Sequence, residues 1–278
     1  MLYARPGLRI GSGTRDMDFD GYKKLFDLTG KVALITGSTK GIGRAIAEGM
    51  AAHGAKVVIS SRKADACEAV AGGINEAGGT AIALPCNVSH REQVQKLVDD
   101  TRKAYGQIDI VVGNAAVNPY YGSNLDIPDS ALDKILQVNI GSNLWLAQLT
   151  FPEMQARKDG VFIIVSSIGG LRASTVIGAY CISKAADMQL VRNLAAEFGK
   201  DNIRVNCIAP GLVQTDFARA LWEDPQTRAK RISETPMARL GDPADLAGIA
   251  VYLASRAGAW TSGQTIAVDG GVTTAGTG

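Results

Sequence analysis

From Lys31 onward the chain alternates short, unbroken apolar runs with longer stretches in which apolar residues recur every three or four positions. The short runs predict strands at Val32 to Ile35, Lys56 to Ser60, Thr80 to Leu84, Ile108 to Val112, Val161 to Val165, Ile203 to Ile208 and Gln264 to Val268. Between them the spacing predicts helices over Arg44 to His53, Ala64 to Ala77, Ser89 to Tyr105, about Asp129 to Arg157, a stretch through Tyr180 to about Phe198, and Ala244 to Ala254. Seven strands separated by helices, several of them without polar alternation, require a parallel sheet covered on both faces. Neither a linker nor an internal repeat divides the chain, so residues 28 to 278 read as one α/β domain, a Rossmann-type doubly wound sheet.

Residues 1 to 27 break this pattern. They carry Gly, Arg and Asp without sustained periodicity and without the apolar segment of a signal peptide, and they read as a loosely ordered extension in which Met17 is a second candidate start. Composition narrows the partners. With 46% apolar and 20% charged residues, a net charge of +2 and no Lys/Arg run, the chain has the balance of a globular protein and no electrostatic footprint for nucleic acid or an anionic membrane. Its longest apolar runs are too short to cross a bilayer. Cys67, Cys86, Cys181 and Cys207 are scattered with no C-x-x-C pair, which predicts reduced core thiols in a cytoplasmic setting, with no disulfide and no metal site. His53 and His90 fall near predicted helix ends and take no chemical role.

Chemistry enters at the first strand-to-helix turn, Thr36-Gly37-Ser38-Thr39-Lys40-Gly41-Ile42-Gly43. Glycines there permit positive φ and close approach of a ligand to the backbone, and the start of the following helix favours a pyrophosphate. The position after the second strand, where an acid would receive the ribose hydroxyl of NAD, holds Ser60-Ser61-Arg62-Lys63 instead. Arg62, with Lys40 from the glycine turn, suits the 2′-phosphate of NADP(H); the plainer reading is a solvated pair of cations at a helix start. Further on, Tyr180 and Lys184 stand one helical turn apart, so an ammonium can sit beside a phenol. Alone, that pair is equally a half-buried tyrosine next to a solvated lysine.

Taken together these features resemble the short-chain dehydrogenase/reductase superfamily. The likeness runs from Lys31 to about Gly271 and includes the glycine turn, Asn114-Ala115-Ala116, Asn139, Ser166-Ser167, Tyr180-x-x-x-Lys184, Arg204-Val205-Asn206 and Pro210-Gly211. Ala115-Ala116-Val117-Asn118-Pro119, Pro210-Gly211-Leu212 and Leu221-Trp222 are more narrowly similar to its NADPH-dependent carbonyl and retinal reductase branch. The resemblance implies a catalytic set of Asn139, Ser167, Tyr180 and Lys184. Tyr180 would exchange a proton with the substrate oxygen as hydride moves to or from the nicotinamide, and Ser167 would hold that oxygen. Lys184 would lower the phenol's pKa and bond the nicotinamide ribose, while Asn139 would hold a water linking Lys184 to solvent. Ser166 competes with Ser167, but an extended segment would point it to the opposite side.

For the cofactor, the resemblance adds Asn87 and Val88 near the adenine, Asn114 and Ala115, Pro210 and Gly211, and Val213 and Thr215 at the carboxamide. Asn87-Val88 stands where relatives commonly have Asp-Val, and Gly113-Asn114-Ala115-Ala116 where they have Asn-Asn-Ala-Gly. A substrate loop is expected over about 212 to 240, irregular between Asp216 and Pro236. Tyr120, Tyr121, Leu171, Phe217, Leu221 and Trp222 either line an apolar substrate pocket or pack a subunit interface. The implied activity is reduction of ketones or aldehydes. A 3-oxoacyl thioester reductase is the alternative within the family, hinted at by Arg172 and Arg219, and a non-catalytic NADP(H)-sensing regulator is the alternative outside it. A homotetramer is implied, built through the helices from Asp129 and Thr175 and through the last strand, and the tail from Thr273 carries no peroxisomal signal.

Overall fold

The computed structural model describes residues 17–275. Its first element, α1 (Phe19–Lys23), is a short helix capped by Asp18, whose carboxylate accepts from Gly21 N at 2.7 Å. Leu25 O then accepts from Ala257 N at 3.0 Å and Leu28 is buried, so the last part of the expected loose extension is tied to the domain. Residues 1–16, with the rest of that expectation, lie outside the described residues.

The first half of the domain is β1 (Val32–Thr36), α2 (Gly41–Ala52), β2 (Lys56–Ser60), α3 (Ala64–Glu76), β3 (Thr80–Ala83), α4 (Arg91–Tyr105) and β4 (Ile110–Gly113). The second is α5 (Asp129–Leu136), α6 (Ser142–Arg157), β5 (Gly160–Val165), α7 (Gly178–Phe198), β6 (Ile203–Pro210), α8 (Pro225–Ser233), α9 (Ala247–Ala254) and β7 (Thr265–Val268). The seven strands are all parallel, in the order β3-β2-β1-β4-β5-β6-β7. Strand order reverses between β1 and β4, and the loops leaving those two strands diverge, which opens a crevice at the carboxyl edge of the sheet.

Every residue of β1, β4 and β5 is buried, which is why these strands show no polar alternation. Successive side chains go to opposite faces: Ala33 and Ile35 join one apolar cluster with Ile46, Met50 and Val251, and Leu34 joins the other with Leu146, Phe162 and Val191.

Three departures from the predicted elements bear on function. The fourth strand begins at Ile110, because Asp109 before it turns its carboxylate to accept from Val32 N at 2.8 Å. The helix expected over Asp129 to Arg157 is interrupted by a π-helical turn, Gln137–Gly141. The loop expected to be irregular contains a 3-10 segment, Asp216–Leu221, and then α8. Asp224 caps α8, accepting from Thr227 N at 2.7 Å, and Pro225 occupies its first turn, both ordinary helix-start signals.

Candidate active site

The glycine turn joins β1 to α2. Gly37 and Gly41 have φ of +66° and +55°, where a side chain would strain the backbone. Gly43 meets a different need, since a Cβ there would collide with Gly37 O and Asn114 Nδ2. Asn114, just after β4, donates from Nδ2 to Thr36 O at 2.9 Å and to Gly37 O at 3.0 Å, and Thr36 Oγ1 accepts from the N–H groups of Asn114 and Ala115. Ser38 is fully buried: its hydroxyl donates to Ile35 O at 2.8 Å and accepts from Ser60 N at 2.9 Å. The side chains of Asn114 and Ser38, both expected as cofactor contacts, therefore brace the turn from beneath. The turn leaves the start of α2 open, because Lys40 at its N-cap makes no capping side-chain bond. Uncapped N–H groups at a helix start form a seat for phosphate.

Ser61 and Arg62 follow β2 at the same edge of the sheet. Arg62 is exposed, and among the described residues no carboxylate pairs with it. Lys40 is engaged differently from expectation. Its Nζ lies 3.2 Å from Asp216 Oδ2 at the start of the substrate loop, and the other oxygen of Asp216 lies 2.8 Å from Arg219 Nη2. The first of these exposed pairs joins the loop to the glycine turn, and the second engages Arg219 with a carboxylate. Asn87 is held in its own loop, accepting from Ser89 N at 3.2 Å and donating its N–H to Gln93 at 2.9 Å, while Val88 is buried beside it.

Helix α7 lies against β6 and the π-helical turn and brings the acid-base candidates inward. Tyr180 is 8% exposed and Lys184 2%. Lys184 Nζ donates to Val165 O and to Asp187 Oδ2, each at 3.0 Å, and lies 5.7 Å from the centroid of the Tyr180 ring. Asp187 is wholly buried, and its Oδ1 accepts from Asn143 Nδ2 at 3.1 Å. Ser167, just beyond β5, accepts from Gly169 N at 3.0 Å and its hydroxyl lies beside the phenol. Ser166 points away and donates to Lys184 O at 2.8 Å, as alternation along an extended segment requires. Asn139, in the π-helical turn, accepts from Val117 N at 2.8 Å and donates to Val117 O at 3.1 Å and to Ser183 Oγ at 2.9 Å. Both its amide hydrogens thus tie the loop after β4 to α7.

Electrostatics revises one expectation. Burial pushes the Tyr180 phenol up from its ordinary 10.0; Lys184 and Ser167 pull it down, Asp187 pushes it up, and the net direction is up. The lowering assigned to Lys184 is present but outweighed. Burial by itself pushes the Lys184 ammonium down, and the Asp187 carboxylate together with Tyr180 more than reverses this. Asp187 is the member of this cluster that reading the chain misses. Its signal is position: it stands seven residues after Tyr180 and four before Val191, on the stripe that α7 buries.

A cavity of about 870 Å³ opens on the phenol. Tyr121, Phe217 and Leu221 line it as expected, and the Phe217 ring is 6.0 Å from that of Tyr180. Tyr120, Leu171 and Trp222 do not line it: Tyr120 OH donates to Ser123 O at 3.1 Å, Trp222 Nε1 donates to Thr215 O at 3.1 Å, and Leu171 is half exposed elsewhere. Pro210, Gly211, Val213 and Thr215 border the same space, as does Ile42 at the start of α2. Glycine turn and phenol therefore face one cavity. Arg172, named for the thioester alternative, also lines it, as does Asn118, which was not singled out for the pocket and whose Oδ1 is buried there with no protein partner.

Comparison with known proteins agrees with this geometry. Residues 37–273 match the family model described as Enoyl-(Acyl carrier protein) reductase. The chain is 39% identical to dehydrogenase/reductase SDR family member 4 of Bos taurus over 270 residues, 95% of this chain and 97% of that protein. Its fold matches 7alpha-hydroxysteroid dehydrogenase complexed with NADH and 7-oxo glycochenodeoxycholic acid with a TM-score of 0.86, at 37% identity over 90% of this chain and 96% of that one. It matches a gluconate 5-dehydrogenase from Burkholderia cenocepacia J2315, in complex with NADP and tartrate, with a TM-score of 0.87, at 32% identity over 91% of this chain and 99% of that one. An uncapped glycine turn and a buried Tyr-Lys pair on one cavity, in a parallel sheet shared with these proteins along nearly their whole length, make this chain a member of the short-chain dehydrogenase/reductase superfamily of oxidoreductases.

Proposed function

We propose that the protein is an NADP(H)-dependent oxidoreductase that interconverts a ketone or aldehyde and its alcohol, with Tyr180 as the acid and base. The observation that carries this reading is that Ser167 and Tyr180 form one wall of a cavity that also takes in Ile42 of the glycine turn, with Lys184 buried beside the phenol. The bound nicotinamide supplies or takes the hydride. The chain does the rest. The hydroxyls of Ser167 and Tyr180 donate to the substrate oxygen, stabilising the negative charge that grows there on reduction, and Tyr180 gives up its proton. In the reverse direction the phenolate removes the alcohol proton. Lys184, fixed by Val165 O and Asp187, has one of its three donors left for the cofactor side.

The open start of α2 at Gly41, Ile42 and Gly43 would hold the pyrophosphate, and Asn87 and Val88 would border the adenine. Ala115, Pro210, Gly211, Val213 and Thr215 would surround the nicotinamide. The relatives with bound cofactor hold NADH in one case and NADP in the other, so the preference for NADP(H) rests on Arg62 and on the absence of an acid after β2. The decisive assay is NADPH oxidation across aldehydes, diketones, ring ketones and acyl thioesters. Arg62→Ala should raise the NADPH Kd about tenfold or more while leaving that of NADH within about twofold, as loss of a charge-assisted phosphate contact requires. Equal losses for both would refute the 2′-phosphate assignment.

A second reading, reduction of a 3-oxoacyl thioester, is favoured by Arg172, a cation on the cavity with no carboxylate partner among the described residues. Preference for acetoacetyl thioester over aromatic ketones in the same panel would select it. Retention and burial of Tyr180 and Lys184 weigh against a non-catalytic regulator. Exposed Leu144 on α6 and Ile182 on α7, together with β7 at the sheet edge, support a homotetramer. Four buried free thiols support a reducing, cytoplasmic setting, and among the described residues no helix is long and apolar enough to cross a membrane.

A further inference from the structure

Lys184 and Asp187 form an ion pair with almost no access to water, at 2% and 0% exposure. Two charges are not taken out of water for stability alone, since a buried pair is often no better than an apolar pair of the same size. This pair is also built from several sides. Asp187 Oδ1 accepts from Asn143, whose Nδ2 also donates to Asn139 O at 2.8 Å, a carbonyl within the π-helical turn. Asn143 in turn needs Gly113, because a Cβ on Gly113 would collide with Asn143 Oδ1. The glycine that departs from the common family pattern at the end of β4 is thus the residue that makes room for the carboxylate's support.

We propose that Asp187, held by Asn143, is a positioning residue for the reaction, fixing the buried Lys184 ammonium in one place and balancing its charge beneath Tyr180. The inference rests on the Tyr180 chemistry proposed above. Besides these residues, the titratable group facing the pair is Cys207 from β6, whose thiol burial pushes up to about 12, while Cys181 from α7 faces Tyr180. Val165 O from β5 and the neutral Asn139 complete the surroundings. None of them replaces the negative charge of Asp187.

The test is the pH profile of kcat for carbonyl reduction in Asp187→Asn, with Asp187→Leu as a second variant of similar shape. Removing a negative charge lowers the pKa of both Tyr180 and Lys184, and each must keep its proton for reduction. The alkaline limb should therefore move toward acid by about one pH unit or more, with KM for NADPH within about threefold. A uniform loss of kcat at every pH, or an unmoved limb, overturns the proposal. So does failure of both variants to fold, because a positioning role leaves the fold standing. If the wild type reduces no carbonyl, the functional reading fails instead; an active wild type with unmoved variants rejects the role of Asp187 alone.

Discussion

Tyr180 and Lys184 are the residues on which chemistry and burial meet, and burial has the larger effect on the phenol. Because burial raises its pKa, Tyr180 keeps its proton through neutral pH, and the phenolate needed for alcohol oxidation forms only as pH rises into the alkaline range. Reduction should thus stay level into alkaline pH and oxidation should climb with pH. Stopped-flow or steady-state profiles in both directions check this, and a reduction rate that falls away below pH 8 would contradict it. Tyr180→Phe should lower kcat about 10²-fold or more with NADPH affinity nearly unchanged, which single-turnover kinetics and fluorescence titration separate. The pair was legible because Tyr-x-x-x-Lys places both groups on one helix face. Asp187 was not, because a carboxylate three residues from a lysine on a helix reads equally as a solvated ion pair. Only the packing of α7 against β6 and the π-helical turn shows that this face is buried.

Elements were legible wherever one periodicity ran unbroken. The seven strands appear as Val/Ile/Leu runs because both faces of the sheet are covered, and their ends moved by one or two residues where a polar side chain such as Asp109 took over backbone bonding. Helix α8 was hidden by the low apolar content of Pro225–Ser233, all of it unburied, although Asp224-Pro225 announced its start. Side-chain direction within the glycine turn was not legible at all. Period and composition cannot reveal that Ser38 faces the core while Lys40 reaches Asp216. The tight contacts behind the turn give a prediction for the element as a whole. Gly43→Ala inserts a methyl group against Gly37 O and Asn114, an overpacking that costs about 1–3 kcal/mol or displaces the turn. The variant should therefore melt at a lower temperature and lose most of the stabilisation that NADPH confers on the wild type. A thermal shift with NADPH equal to that of the wild type would rule out the turn as the phosphate seat.

For the whole molecule, exposed apolar residues are scattered over several surfaces, and two sets of them lie on elements expected to pack between subunits. Leu144 and Ile182 lie on α6 and α7, and the fully exposed Trp260 stands shortly before the edge strand β7. Two independent self-complementary faces generate a closed tetramer of dihedral symmetry. Sedimentation velocity should accordingly give a tetramer, and Leu144→Glu with Ile182→Glu should reduce it to dimers held by the other face. A wild-type monomer would show that these residues are merely exposed. Fold class followed from strand count and the unbroken alternation of strands and helices, whereas assembly depends on which apolar residues stay outside, and periodicity does not report that.

The π-helical turn at Gln137–Gly141 carries a consequence for how relatives are ranked. A helix advances about 100° per residue, so removing a single residue there would rotate all of α6 by that angle with respect to α5. Asn143 would swing off Asp187, although Asn139, Ser167, Tyr180 and Lys184 would all still be present in order. Two chains can share every catalytic motif and differ in whether their lysine is supported. The count from Asn139 to Asn143, together with a glycine at the position of Gly113 and an acid at that of Asp187, separates them where the motifs do not.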